Sequence, residues 1–135
     1  MSESDSRAKY GATNPRPETL ATMPVKRFGA VIGLNAEKEE YYRELHANAW
    51  PGIVDRIHKS SIRNFSIYIT EIEGKKYMFS YFEYIGDDIE SDMQDIADDP
   101  ETQRWWKETN PCQFQLPTRR PGQNWSAMEM IFLVE

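Results

Sequence analysis

Apolar residues alternate with small or polar ones from Val25 to Leu34, placing Phe28, Ala30, Ile32 and Leu34 on one face; a period of two is the signature of a half-buried strand. The period then changes. Asn35 is a candidate N-cap with Glu37 and Glu39 in the turn that follows, and a helix is predicted to about Asn48, because a capping amide and carboxylates both suit the positive end of a helix dipole. Pro51 interrupts that helix but suits the first turn of a continuation through Ile53, Val54 and Ile57, ending at Ser60 or Ser61; a proline there gives up only an N–H that a helix start leaves unpaired. Alternation returns over Ile62 to Thr70, and Gly74 turns the chain into Lys76 to Tyr84, a predicted hairpin. In its second strand Tyr77, Phe79 and Tyr81 oppose Met78, Phe82 and Tyr84, so both faces call for cover, unlike a sheet with one wet side.

Gly86 to Ala97 returns to helical spacing, with Ile89, Met93, Ile96 and Ala97 inside and a solvated acidic face outside. Asp99-Pro100-Glu101 restarts a short helix that carries Trp105 and Trp106. Pro111, Pro117, Pro121 and Gly122 mark a long loop, and Met128 to Val134 reads as a last strand. Strand, helix, strand, strand, helix, strand is the order of a ferredoxin-like α+β sandwich, two helices covering one face of a four-stranded antiparallel sheet. The other face, aromatic here, then calls for a ligand or a second subunit. Residues 1–24, rich in Ser, Thr, Pro and charge, have no apolar periodicity and read as a flexible extension before a single domain, 25–135.

Composition narrows the partners. A chain of 135 residues supports one core, and 22 acidic against 16 basic side chains, a net charge of −6, oppose attraction to nucleic acid or anionic membrane surfaces. No apolar run approaches the ~20 residues of a membrane span, nor is there a signal peptide's apolar core. The lone Cys112 forms no intrachain disulfide, which fits a reducing, cytoplasmic setting, and its loop context gives no support to a role as nucleophile.

Tyr42, His46 and Trp50 stand at four-residue steps, one stripe if all three are helical. His46 is the best candidate for proton transfer, since an imidazole titrating near ~6.5 both gives and takes protons at neutral pH; a lone helical histidine is otherwise a structural hydrogen-bonding residue. A phenol and an indole beside it are the parts a polyol site needs, or equally the parts of a core. Trp105 and Trp106 point about 100° apart on a helix, so one indole can be core while the other lines a cavity, where its face packs on sugar C–H groups. Metal ligation lacks a motif, because His46 and His58 are twelve residues apart with no cysteine cluster. No Gly-rich phosphate loop or nucleophile elbow is present either, which leaves proton transfer without a cofactor.

The Tyr42-x-x-x-His46-x-x-x-Trp50-Pro51 segment, the Asn64-Phe65-x-Ile67-Tyr68 strand, Gln103-Arg104-Trp105-Trp106-Lys107 and the apolar C-terminal strand together resemble the L-rhamnose mutarotase family from about Arg27 to Val134. The resemblance implies a dimeric α/β barrel, a monosaccharide substrate, no cofactor, His46 as catalytic proton donor, and Tyr42, Phe65, Trp105 and Trp106 as substrate-binding residues. At Phe65 the chain departs from the family, which usually has a tyrosine there; the ring supplies a wall without the hydroxyl, and Tyr68 falls on the opposite strand face. Two rivals stand beside it: a cofactor-free monooxygenase of the dimeric α/β-barrel type, and a non-catalytic barrel that binds a small ligand.

Overall fold

The computed structural model describes residues 7–135. Its antiparallel sheet is built around β1 (Lys26–Leu34), which pairs with β3 (Lys75–Tyr84) along its whole length, from Lys26↔Tyr84 to Leu34↔Lys76. Next to β3 lies β2 (Ile62–Ile72), as the predicted hairpin requires, with a bulge between Arg63 and Ser66. Asn64 within that bulge has φ 52°, the left-handed backbone that asparagine tolerates better than most residues.

The other edge of β1 differs from expectation. Two short strands share it: β4 (Gln113–Phe114) lies beside Gly33 and Leu34, and β5 (Ser126–Met128) lies beside Gly29 to Val31. The last strand predicted over Met128 to Val134 therefore ends where it was expected to begin. Few residues of β1 remain beyond Gly29 to pair with, and the Leu133 N–H instead donates to Thr13 O at 2.8 Å. Ile131, Phe132 and Val134 stay exposed.

Residues 7–24 include a short helix, α1 (Pro17–Ala21), started by proline at its first position; residues 1–6 of the proposed extension lie outside the described residues. The helix expected from Asn35 begins later, as α2 (Glu39–Ala47), after a 3-10 turn over Ala36–Lys38. Asn35 does not cap it through its side chain. Its amide donates across the fold to Pro111 O and Gln113 O at 3.3 and 3.4 Å, and its N–H donates to Cys112 O at 2.8 Å, so a residue suited to local capping ties down a distant segment instead.

The helix starts expected at Pro51 and at Asp99-Pro100 are both met. Pro51 opens α3 (Pro51–Lys59). α4 (Ile89–Asp98) is capped by Asp88, whose carboxylate accepts from Ser91 N at 3.1 Å. Asp99 caps α5 (Pro100–Thr109), accepting from both N and Oγ1 of Thr102 at 2.9 Å. The buried Tyr84 hydroxyl reaches Asp92 and accepts from Asp88 N, fastening α4 to the sheet.

Ile32, Leu34 and Met78 on one sheet face pack with Tyr42 and Cys112 to form the core, flanked by Ile67, Ile69 and Trp125. Helices cover this face. On the reverse face Phe114 lies over Gly33 and meets the edge of Tyr77, with ring centroids 5.7 Å apart, and Tyr68, Ile72 and Met128 are exposed. No helix among the described residues is long and apolar enough to cross a membrane.

Candidate functional site

α2 runs Glu-Glu-Tyr-Tyr-Arg-Glu-Leu-His-Ala, with carboxylates at its start, where they complement the helix dipole, and His46 in its last turn. Four-residue spacing puts Tyr42 and His46 on one side, and Tyr42 is 5% exposed against the sheet. The two rings stack with centroids 4.1 Å apart and planes 21° apart. His46 Nδ1 lies 2.8 Å from the Tyr42 carbonyl oxygen. A carbonyl only accepts, so Nδ1 carries the proton and Nε2 of the neutral ring keeps a free lone pair. Burial lowers the imidazole pKa from its usual value, against a smaller opposing effect of the carbonyl bond, and the neutral ring is thereby the resting form at pH 7.

Trp50 does not extend the α2 stripe. The helix ends at Ala47, and Trp50 is extended (φ −60°, ψ 137°) at the N-cap of α3, as the residue before a proline prefers. It is nevertheless returned to the same cluster: its indole meets Trp105 edge-on at 5.0 Å, and Trp105 meets His46 edge-on at 5.1 Å. Trp105, 7% exposed, lies between buried Thr102 and Thr109 on the inner side of α5. Its neighbour Trp106 is turned outward and 39% exposed. The structure thus joins Tyr42, His46 and Trp105 with Trp50 in one ring cluster.

Phe65 sits elsewhere, within the β2 bulge, 44% exposed and 5.7 Å from Phe82, which in turn stacks on Phe28 at 5.0 Å. These three phenylalanines cross three strands as an apolar strip.

The Tyr42 hydroxyl is not free. Gln113 Nε2 donates to it at 3.1 Å, a partner 71 residues away with no signal near Tyr42 in the sequence. Burial pushes the phenol pKa up to about 12, only partly opposed by the Gln113 bond, so the group is a hydrogen-bonding hydroxyl and not a phenolate base at neutral pH. Chemically, the cluster offers one proton carrier with a defined tautomer, one neutral hydroxyl and apolar ring surface. Among the described residues, no group of three or more His, Cys, Asp or Glu side chains is placed to hold a metal ion.

The family model for L-rhamnose mutarotase matches residues 27–134. The chain belongs to the L-rhamnose mutarotase family. It is 28% identical over 87 residues to the L-rhamnose mutarotase of Bacillus subtilis (strain 168), covering 64% of this chain and 79% of the relative. The L-rhamnose mutarotase of Jannaschia sp. (strain CCS1) is 31% identical over 80 residues, 59% and 72% of the two chains. A crystal structure of an L-rhamnose mutarotase from Formosa agariphila superposes with a TM-score of 0.60 at 19% identity, over 82% of this chain and 99% of that one, which supports the fold. The predicted α+β class and family membership both stand, and the ring cluster sits between α2, α5 and the start of α3.

Proposed function

We propose that the protein interconverts the α and β anomers of L-rhamnose by proton transfer through His46, without a metal or organic cofactor. Family membership supports the reaction. The observation that carries the residue assignment is the partly buried imidazole whose Nδ1 proton is committed to the Tyr42 carbonyl, because it leaves a single reactive nitrogen in a defined state.

Ring opening removes the proton of the anomeric O1–H, forms the C1=O bond, breaks C1–O5 and places a proton on O5. Neutral His46 begins as base: Nε2 takes the O1 proton, while solvent or a carboxyl group protonates O5. After rotation about C1–C2, closure on the opposite carbonyl face reverses the transfers, and His46 then acts as the proton donor to O1. Tyr42 holds a sugar hydroxyl, and Trp105 and Trp106 offer apolar faces to the pyranose C–H groups, with Phe65 as an outer wall.

The exposed aromatic sheet face, with Tyr68 61% exposed, is the surface on which we expect two copies to meet as a homodimer, the barrel form of this fold. A cytoplasmic enzyme of carbohydrate metabolism accords with the buried, unpaired Cys112. Saturation-transfer NMR of L-rhamnose with and without protein tests the proposal; anomer exchange no faster than in buffer would refute it.

A further inference from the structure

Gln113 is 71 residues from Tyr42 in sequence, yet its backbone is held on several sides. Asn35 bonds to the carbonyls of Pro111, Cys112 and Gln113, Gln113 is in register with Leu34, and the next residue, Phe114, is seated over Gly33. Its side chain lines a cleft of about 350 Å³ with Asn110, Gln115 and Asn124. Those amides engage one another: Gln115 Nε2 donates to Asn124 Oδ1 at 2.7 Å, and Asn124 Nδ2 to Asn110 Oδ1 at 3.4 Å. Gln113 alone of the four turns to Tyr42.

A phenol hydroxyl has one proton and two lone pairs. Gln113 occupies a lone pair, so the hydroxyl proton is uncommitted, and among the described residues no hydrogen bond takes it. We infer that Gln113 is a positioning residue for the reaction: by donating to Tyr42 it directs the Tyr42 proton toward the substrate, so that Tyr42 binds as a donor and selects a sugar presenting an acceptor oxygen there. The inference rests on the reading of Tyr42 as a sugar-binding residue.

Four variants test it, with melting midpoints to check folding: Gln113→Met, Gln113→Glu, Tyr42→Phe and the Tyr42→Phe/Gln113→Met pair. Removing one neutral hydrogen bond changes affinity by about two- to twelve-fold, so Gln113→Met is expected to raise KM for L-rhamnose by that factor with a smaller change in kcat. Gln113→Glu, nearly isosteric, carries the test should the methionine variant not fold. Its carboxylate only accepts, so it captures the Tyr42 proton and raises KM at least as far. In the Tyr42→Phe background Gln113→Met is expected to add nothing. A full Gln113→Met effect in that background, or a Gln113→Glu variant with wild-type KM, overturns the inference. An unchanged KM in Tyr42→Phe alone is a distinct failure, which removes Tyr42 from the site and the inference with it.

Discussion

Replacing His46 with alanine separates chemistry from packing, because the ring contributes to both in calculable amounts. On the packing side the variant loses one hydrogen bond to the Tyr42 carbonyl, roughly 0.5–1.5 kcal/mol. It also loses two ring contacts, with Tyr42 and Trp105, at roughly 0.5–1.5 kcal/mol each. These contributions overlap, so their sum of about 1.5–4.5 kcal/mol is a ceiling. At about 3–5 °C per kcal/mol for a domain of this size, the melting midpoint is expected to fall by at least a few degrees and by no more than about 22 °C. On the chemical side, loss of a positioned acid–base group costs about 10²–10⁴ in rate, equivalent to ~2.7–5.4 kcal/mol of transition-state stabilisation. Saturation-transfer NMR on L-rhamnose at 25 °C, with folding checked by circular dichroism, reads the two effects separately. A folded variant whose exchange is within about threefold of wild type would refute the role of His46, whatever its stability.

The pH profile supplies a second check: since burial lowers the His46 pKa and the neutral ring starts the cycle, kcat/KM should be flat above the ordinary imidazole value of about 6.5 and fall only at more acidic pH, whereas a protonated starting form would lose activity as pH rises. The same depressed pKa means that the unfolded chain takes up this proton first, so the His46 contribution to stability is complete above the unfolded value and is lost as pH falls from there through the lower folded value. Phe65→Tyr restores a hydroxyl at an exposed wall and should lower KM for L-rhamnose by about two- to twelve-fold if it reaches the sugar; side-by-side exchange with L-fucose shows whether the gain is specific, and no change for either sugar would place Phe65 outside the site. Tyr68→Glu puts a charge on the exposed aromatic sheet face, and light scattering at micromolar concentration should report a shift from dimer to monomer; an unchanged dimer would place the interface elsewhere.

Much of this molecule could be read locally. Alternation in Val25–Leu34 and Ile62–Thr70 and the turn at Gly74 mark the paired strands, and prolines at 51 and 100 mark helix starts, because these signals act within a few residues. The 100° offset between adjacent helical residues implied that the two indoles diverge. Buried Thr102 and Thr109, three residues before and four after Trp105, identify which indole is inside, a stripe that could have been read in advance. Long-range competition defeats such rules elsewhere. Asn35 has a capping residue's chemistry but spends its amide on Pro111 and Gln113, and the apolar run 131–134 has a strand's composition but pairs with no strand among the described residues. Gln113 has no local signal, since its importance depends on a hydroxyl 71 residues away.

The two-residue strand β4 has a side chain on each side of the sheet. Gln113 reaches the helix side and Tyr42, while Phe114 covers Gly33 on the reverse, where a Cβ would come within 2.2–2.3 Å of its ring. A methyl group at position 33 therefore cannot be added without turning the Phe114 ring aside. In a dimer closed over that aromatic face, pressure from the partner on one phenylalanine would be transmitted through a single peptide unit to the hydroxyl of Tyr42. Assembly and substrate affinity would then rise and fall together, and Gly33→Ala would behave as an affinity mutant although its methyl group would point to the reverse face of the sheet.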